Sequence, residues 1–192
     1  MNHFFAYMAR MKLIRRWSLM KSVSEENIAE HSAQVAQIAH ALALIKNKKF
    51  GGTLNPDRVA TMALYHETAE VLTGDLPTPI KYYNPEIRQA YKEIEGIANE
   101  KLLTMLPEEL RGEYRELLME DPASYEAMLI KAADKISAYI KCIEEMRSGN
   151  REFAKAENTL RTEVEKYFRY DEVRYFCDTF LETFRKTLDE LE

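Results

Sequence analysis

Residues 55–79 read NPDRVATMALYHETAEVLTGDLPTP and carry the clearest helix signals in the chain. Asn55 can cap a helix, and Pro56 suits the first helical position because its missing N–H would have no intrahelical partner there. Gly74 is a suitable helix end, and we expect no helix over residues 75–79 because two prolines there restrict both themselves and the residues before them. Five side chains at helical spacing share one face of this predicted helix: Val59, Met62, Ala63, His66 and Glu70.

The same helix signals recur along the chain, whereas strand patterns are nearly absent. Asn27 and Glu30 form a potential capping box, and the apolar stripe that follows ends at Gly51-Gly52. We therefore expect an all-α fold, with a single compact domain over residues 1–192. Its motif-bearing part covers about 4–149 and its C-terminal helices about 152–191. Further helices are predicted over residues 4–14, 152–169 and 171–191. Three more are predicted to start at Asn84-Pro85, at Pro107 and at Asp121-Pro122, the last one running toward Gly149.

Composition excludes several classes of protein. Of the 192 residues, 46% are hydrophobic and 31% are charged, which is enough apolar material for a core. The net charge of -5 argues against binding a nucleic acid polymer, and no apolar run approaches the roughly 18 residues of a membrane span. The basic N-terminal segment could lie on a membrane, but we favour a first helix that packs on the domain. Two cysteines, Cys142 and Cys177, fit a reducing cytoplasm, so we expect a cytoplasmic protein.

Histidines are scarce, and two of the four lie where a buried residue is expected. His31 and His66 occupy core-facing stripes and have acidic neighbours, while Asp134 lies on a predicted helix among small and apolar residues. Unpaired buried charges are costly, so these groups need partners. Two imidazoles with one or two carboxylates suit Mn, Fe, Co or Zn. The residues alone leave two interpretations open, hydrogen-bonded core histidines or a metal site.

The segment from His66 to Glu70 superficially suggests a zinc protease. The helical protease motif requires a second histidine four residues after the first, on the same helix face. Position 70 is Glu70 rather than histidine, so the sequence does not support a zinc protease.

The order of these polar residues resembles a known family. His31, then His66 with an adjacent acid, then Asp134, on an all-helical chain of this size, is similar to the HD-domain metal-dependent phosphohydrolases. The similarity is closer still to the YfbR-like 5'-deoxynucleotidases, and it covers Phe4 to about Gly149. The run of residues 73–79, Thr-Gly-Asp-Leu-Pro-Thr-Pro, is the most specific part. Other matching stretches are Arg15-Arg16-Trp17, Glu30-His31-Ser32, Tyr65 to Glu70, Lys81-Tyr82 and Lys131 to Tyr139.

The resemblance implies a divalent metal ion, such as Co, Mn or Zn, on His31, His66, position 67 and Asp134. Position 67 departs from the family pattern, because the family has aspartate and this chain has Glu67. The extra methylene shifts the carboxylate by roughly 1.5 Å. Glu67 could ligate in a rearranged site, withdraw from the metal, or leave a weakened enzyme. We expect ligation, because the surrounding motif residues match.

The resemblance also implies the reaction and the substrate site. The reaction is hydrolysis of deoxyribonucleoside 5'-monophosphates to deoxynucleoside and phosphate. Arg16 is expected to hold the phosphate, since a guanidinium forms charge-assisted bidentate bonds with it. The stiff loop after Gly74 can exclude a 2'-hydroxyl sterically and so prefer deoxyribose. The implied substrate-binding residues are Arg16, Trp17, His31, Asp75, Leu76, Pro77 and Thr78.

Glu70 is the second predicted catalytic residue, beside Arg16. It lies one turn beyond His66 and Glu67 on the same predicted helix, which places its carboxylate near the edge of the site. It is a candidate for the proton donor to the leaving oxygen, or for the group that orients the attacking water.

Three alternatives stay open beside a metal-dependent 5'-deoxynucleotidase. The chain could be a related HD phosphohydrolase that acts on another small phosphate ester, although Val71 after Glu70 disfavours the alarmone hydrolases. It could bind nucleotide or metal without efficient turnover, because of Glu67. It could be a structural interaction module, which leaves the Arg16-Trp17 match unexplained. The expected partners are a small nucleotide substrate and, by resemblance, a second copy of the chain in a homodimer.

Overall fold

The computed structural model describes residues 2–81, 83–119 and 121–192. Over these residues it contains ten α-helices and no strand beyond one antiparallel bridge between Arg15 and Asn27, so the predicted all-α fold is confirmed. The helices are Phe4–Met8 (α1), Ile28–Lys49 (α2), Pro56–Leu64 (α3), Glu70–Thr73 (α4), Thr78–Lys81 (α5), Pro85–Leu103 (α6), Arg111–Leu118 (α7), Tyr125–Arg147 (α8), Ala154–Glu165 (α9) and Asp171–Phe180 (α10). Short 3-10 turns lie at Met11–Leu13, Glu108–Leu110, Arg151–Phe153, Leu181–Arg185 and Leu188–Glu190.

Side-chain caps define the starts of the main helices. The Asn27 side chain accepts from the backbone N–H groups of Ala29 and Glu30, at 3.0 and 3.1 Å, and completes the predicted capping box of α2. Asn55 and Asn84 cap α3 and α6 in the same way, each followed by proline. These starts were predicted correctly because a cap and the N–H groups it satisfies lie within three residues.

The main core lies between α2, α3, α8, α9 and α10. Leu42, Val59, Ile136 and Ile140 are fully buried in it. A second apolar cluster joins α1 to the end of α6 and to α7, around Phe4. Since α2 and α8 pack directly on one another, the polar residues on their facing sides, His31 and Asp134, lie close together.

The predicted helix over residues 56–73 is interrupted, which corrects the placement of Glu70. α3 ends at Leu64, and α4 begins at Glu70 after a series of turns, so Glu70 does not share a helix with His66. The His66 ring bonds to the carbonyl oxygen of Ala63 at 2.6 Å, and a continuing helix would need that oxygen for the N–H of residue 67. The backbone instead forms hydrogen bonds between residues three apart, such as the one from the N–H of Thr68 to the carbonyl oxygen of Tyr65.

Other boundaries also differ from the predictions. Residues 75–79 were expected to exclude helix, yet Thr78–Lys81 forms one helical turn. Pro79 is tolerated there because it lies in the first turn, where its N–H would have no partner. The N-terminal helix stops at Met8, and α8 starts at Tyr125 with Ser124 as its cap. The last predicted helix ends at Phe180. Among the described helices, none combines the length and the hydropathy that crossing a bilayer requires.

Candidate active site

Four predicted metal ligands from three segments converge at one point. His31 comes from α2, His66 and Glu67 from the turns between α3 and α4, and Asp134 from α8. Each offers one ligand atom, and these four atoms all lie within 4.8 Å of one another. The interruption after α3 matters here, because the turns place two adjacent residues on the same cluster.

Hydrogen bonds orient both imidazole rings toward the cluster. His31 Nδ1 lies 3.1 Å from Ser137 Oγ, and this hydroxyl donates its own proton to Gln34 at 2.6 Å. Ser137 therefore accepts from His31, whose Nδ1 carries a proton. His66 Nδ1 donates in the same way to the Ala63 carbonyl oxygen. His66 Nε2 is buried and has no hydrogen-bond partner among the described residues, so its lone pair is available to a metal ion in the cluster.

Charge in the cluster is divided unevenly among its members. Burial raises the pKa of Asp134, but Lys135 and the His31 hydrogen bond hold it well below its ordinary value. Burial and Arg16 lower the pKa of His31, yet the carboxylates of Asp134 and Glu26 together outweigh them and raise it above its ordinary value. Burial keeps the pKa of His66 below the usual range for histidine. The cluster thus combines an ionised carboxylate with a neutral imidazole at neutral pH.

Glu67 and Glu70 form a pair of carboxyl groups with opposite protonation. Burial raises the pKa of Glu70 well above the ordinary value, and the neighbouring Glu67 raises it further. For Glu67, burial acts in the same direction, but the hydrogen bond from Glu70 and the charges of His66 and Arg16 lower its pKa. Glu70 therefore holds a proton at neutral pH, and Glu67 is the ionised member.

The predicted phosphate-binding residue Arg16 lies against this cluster. Its charge is close enough to lower the pKa of both Asp134 and Glu67. Its Nε donates to Glu26 Oε2 at 3.3 Å, and the indole Nε1 of Trp17 donates to the same oxygen at 2.8 Å. The structure thus places Arg16 and Trp17 side by side on one carboxylate.

Of the loop residues 75–78 after α4, only Asp75 shows an electrostatic interaction with the site. Asp75 is half-buried, and burial raises its pKa although the charge of Arg16 opposes this shift. Asp75 therefore lies within electrostatic range of the site. Leu76 and Pro77 are half-buried, and Thr78 is exposed. Contact of these residues with a substrate stays a prediction. Tyr82, which belongs to the matching stretch after this loop, lies outside the described residues.

A cavity of about 220 Å³ opens beside the cluster. Its walls include side chains that the sequence analysis did not assign to the site. They come from the turns before α4 and from α5, α6 and α8, and helical periodicity within one element gives no signal that relates them. The sequence analysis also missed Glu26, Gln34 and Ser137. A signal existed for the last two, because Gln34 lies three residues after His31 and Ser137 three after Asp134, on the same helix faces. The cavity is lined by His66, Glu67, Ala69, Glu70, Lys81, Glu95, Asn99, Ile130, Lys131 and Asp134.

A protein-family model matches nearly the whole of this chain. The model is described as 5'-deoxynucleotidase YfbR-like, and it matches residues 3–184. The chain belongs to this family. The family and the enzyme class predicted from the sequence, a phosphoric monoester hydrolase, are therefore confirmed.

Individual relatives of the YfbR-like family cover the same length. The chain is 57% identical to a 5'-deoxynucleotidase of Vibrio cholerae over 191 residues, which is 99% of this chain and 98% of that protein. It is 51% identical to the 5'-deoxynucleotidase YfbR of Escherichia coli, over 99% of this chain and 96% of that protein.

Solved structures support the HD-domain fold of this YfbR-like chain. An HD-domain phosphohydrolase from Listeria innocua superposes with a TM-score of 0.84 at 24% identity, covering 95% of this chain and 88% of its own. The HD phosphohydrolase DatZ of cyanophage S-2L, bound to dA and one catalytic Zn²⁺ ion, gives a TM-score of 0.68 at 19% identity. That match covers 93% of this chain and 96% of its own.

Proposed function

We propose that this chain hydrolyses deoxyribonucleoside 5'-monophosphates to deoxynucleoside and phosphate, with a divalent transition metal ion held by His31, His66, Glu67 and Asp134. Membership in the YfbR-like family makes it a 5'-deoxynucleotidase. The observation that supports the metal site is the meeting of four ligand atoms within 4.8 Å. The dA and the Zn²⁺ ion in the cyanophage phosphohydrolase support a nucleotide and a metal ion for this chain.

The residues present fit such an ion. Two imidazoles and two carboxylates are a donor set for Zn, Co or Mn, and the buried Nε2 of His66 lacks a partner among the described residues. The glutamate at position 67 reaches the cluster from the turn segment, so the longer side chain does not separate the carboxylate from the other ligand atoms. When bound, a divalent ion supplies Lewis acidity toward the phosphoryl group and activates water for attack near neutral pH.

Arg16 is the residue that we expect to hold the phosphate. Within the described residues, its guanidinium forms one hydrogen bond, from Nε to Glu26, which leaves both terminal amino groups as donors. Two parallel N–H donors match two phosphate oxygens. The charge of Arg16 also offsets the negative charge of Asp134 and Glu67, which would otherwise repel an anionic substrate.

We propose that Glu70 protonates the leaving group. It is 3% exposed, lines the cavity and adjoins Glu67. As water attacks phosphorus, the bond from phosphorus to the 5'-oxygen breaks and its electron pair stays on that oxygen. The carboxyl proton of Glu70 passes to this oxygen to give the deoxynucleoside. The proton released by the attacking water restores Glu70, so the reaction leaves the enzyme unchanged.

The loop of Asp75, Leu76, Pro77 and Thr78 is proposed to contact the sugar and the base. Its two prolines, Pro77 and Pro79, restrict the backbone, and Asp75 lies within the range of Arg16. A stiff loop at this position selects against the 2'-hydroxyl by steric exclusion. Assembly as a homodimer and a cytoplasmic location are further proposals, which light scattering and cell fractionation would test.

Phosphate release tests the proposed function. The panel contains deoxyribonucleoside and ribonucleoside 5'-monophosphates with added Mn, Co, Zn or Mg. The proteins are the native chain, Glu67→Asp and His66→Ala, with His40→Ala as a control because His40 pairs with Asp57 and is not one of the four clustered residues. We expect release from the deoxyribonucleotides by the native chain and by His40→Ala. His66→Ala should lose more than the about 10- to 100-fold typical of groups that only orient a ligand.

Other outcomes separate the alternatives. Activity in Glu67→Asp alone would show that the native chain is a weakened member that binds without efficient turnover. Faster release from other small phosphate esters would show a different phosphohydrolase. No release and no bound metal in the native chain or Glu67→Asp would refute the metal site.

A further inference from the structure

One largely buried carboxylate contacts three groups of the proposed active site. Glu26 lies in the segment between Arg16 and α2, and its side chain is 10% exposed. Its Oε2 accepts from Trp17 Nε1 at 2.8 Å and from Arg16 Nε at 3.3 Å. Its Oε1 lies 3.6 Å from Nδ1 of His31. Two predicted substrate-binding side chains and one predicted metal ligand therefore converge on Glu26.

The backbone brings these groups to Glu26. The N–H of Arg16 donates to the carbonyl oxygen of Glu26 at 2.9 Å, and the N–H of Ile28 donates to that of Ile14 at 3.0 Å. Trp17 follows with a φ of +58°, a left-handed conformation that is unfavourable for a bulky residue. Its indole donates to Glu26 and packs against the ring of Phe153, with 5.3 Å between the ring centroids.

We propose that Glu26 is a positioning residue, which orients Arg16 and Trp17 toward the nucleotide and helps to hold the ring of His31. This inference rests on the proposed function. Arg16 Nε and Trp17 Nε1 both donate to Oε2, while Oε1 faces the edge of the His31 ring at 3.6 Å. A carboxylate suits this position because both of its oxygens only accept. A glutamine has nearly the same shape, but its amide NH₂ would face either the two donors at Oε2 or the N–H edge of the His31 ring. The charge and the acceptor pattern of Glu26 are therefore both required.

A neighbouring ion pair provides a matched control. Glu25 pairs with Arg15 at 3.0 Å, next to the Glu26–Arg16 pair in the sequence, but its side chain is 68% exposed. Both pairs join a glutamate to an arginine ten residues earlier. Substituting either glutamate by glutamine changes the net charge equally, and only Glu26 contacts the site.

The experiment compares the full chain with Glu26→Gln, Glu26→Asp and Glu25→Gln. The measurements are kcat and KM for a deoxyribonucleoside 5'-monophosphate, the Kd for Zn²⁺ by calorimetry, the urea unfolding midpoint, and tryptophan emission. Trp17 is the only tryptophan in the chain, so the emission reports its surroundings directly.

For Glu26→Gln, we expect kcat/KM to fall about 10- to 100-fold, the effect of one charge-assisted hydrogen bond, with most of the change in KM. We also expect altered Trp17 emission and weaker Zn²⁺ binding. Glu26→Asp should recover part of kcat/KM because it keeps the acceptor-only carboxylate. Glu25→Gln should stay within about twofold of the native chain.

Several results would overturn this role. One is a Glu26→Gln protein with native kcat/KM and native Trp17 emission. Another is a loss of kcat/KM in Glu26→Gln that disappears at temperatures where this variant and the native chain are both fully folded. If Glu26→Gln does not fold, native kcat/KM and emission in Glu26→Asp would refute the proposal, whereas a raised KM with an unchanged urea midpoint would support it. If the native chain releases no phosphate, the proposed function fails. Differences in Zn²⁺ affinity and Trp17 emission between Glu26→Gln and Glu25→Gln then still decide the role of Glu26.

Discussion

Glu145 on α8 anchors the segment that leads from Trp17 to Glu26. Its side chain is 1% exposed and accepts hydrogen bonds from four groups. They are the backbone N–H of Val23 at 2.8 Å, that of Ser24 at 3.1 Å, Lys141 Nζ at 2.6 Å and Asn150 Nδ2 at 2.7 Å. Substituting Glu145 should therefore reduce both the stability of the fold and the order of the segment beside the site.

The size of this effect follows from the pKa of Glu145. Burial alone would raise that pKa, but the Lys141 bond and the backbone N–H groups lower it to about 2, from 4.5 for an ordinary glutamate. At about 1.4 kcal/mol for each pH unit between the two values, the ionised carboxylate stabilises the folded chain by about 3 kcal/mol at neutral pH. Because the folded-state pKa is the lower one, this stabilisation is complete above about pH 4.5 and is lost as the pH falls toward 2.

The test is Glu145→Gln, followed by urea unfolding and circular dichroism at pH 7 and pH 3. The substitution leaves the Lys141 ammonium, which is 6% exposed, without its anion. We expect the free energy of unfolding to fall by about 3 kcal/mol at pH 7, in the range for breaking a buried ion pair, and by about half as much at pH 3. Glu109→Gln, at an exposed position, is the control and should change it by less than about 0.5 kcal/mol.

Two results would refute this reasoning. A loss below about 1 kcal/mol at pH 7 would show that the network contributes little beyond its cost of desolvation. An equal loss at pH 7 and pH 3 would show that the charge of Glu145 is unimportant and that only the shape of the side chain matters.

Three further predictions concern the core, a helix cap and the metal site. Leu42→Ala should lower the free energy of unfolding by about 2–5 kcal/mol, because Leu42 is fully buried between the central helices; a urea midpoint close to native would contradict this. Asn27→Ala should cost about 1 kcal/mol through loss of the α2 cap, and Asn27→Asp should restore most of it in the same assay. Zn²⁺ at 100 times its Kd should stabilise the native chain by about 2.7 kcal/mol in thermal unfolding, reversibly with a chelator and not in His66→Ala; a native melting temperature that does not respond to Zn²⁺ would argue against the site.

Much of the helical framework follows from local sequence. Asn27, Asn55 and Asn84 each precede a helix in the structure, because a cap and the N–H groups that it satisfies are near neighbours in the chain. The break after Leu64 is different. It depends on a bond between the His66 ring and the Ala63 carbonyl, and helical periodicity does not reveal that competition.

A conflict between pattern and polarity singled out three candidate site residues, whereas the ligand set with position 67 came from the family resemblance. His31, His66 and Asp134 occupy positions where apolar periodicity predicts burial, and buried polar groups require partners. The structure brings these three residues together with Glu67. Their roles as ligands stay predictions, as does the role of Glu70, whose position differs from the expected one because it begins a separate helix.

By itself, the sequence determined the all-α class, the main helix starts and the family, since these depend on local capping, periodicity and a contiguous motif. Only the tertiary structure decided that Glu26 contacts Arg16, Trp17 and His31 together, and that Glu145 bonds to the intervening segment. Such contacts join residues whose separations follow no helical period, so they form only when packing of the whole chain brings the segments together. The short separation of charges in a buried site then determines which carboxyl group keeps its proton.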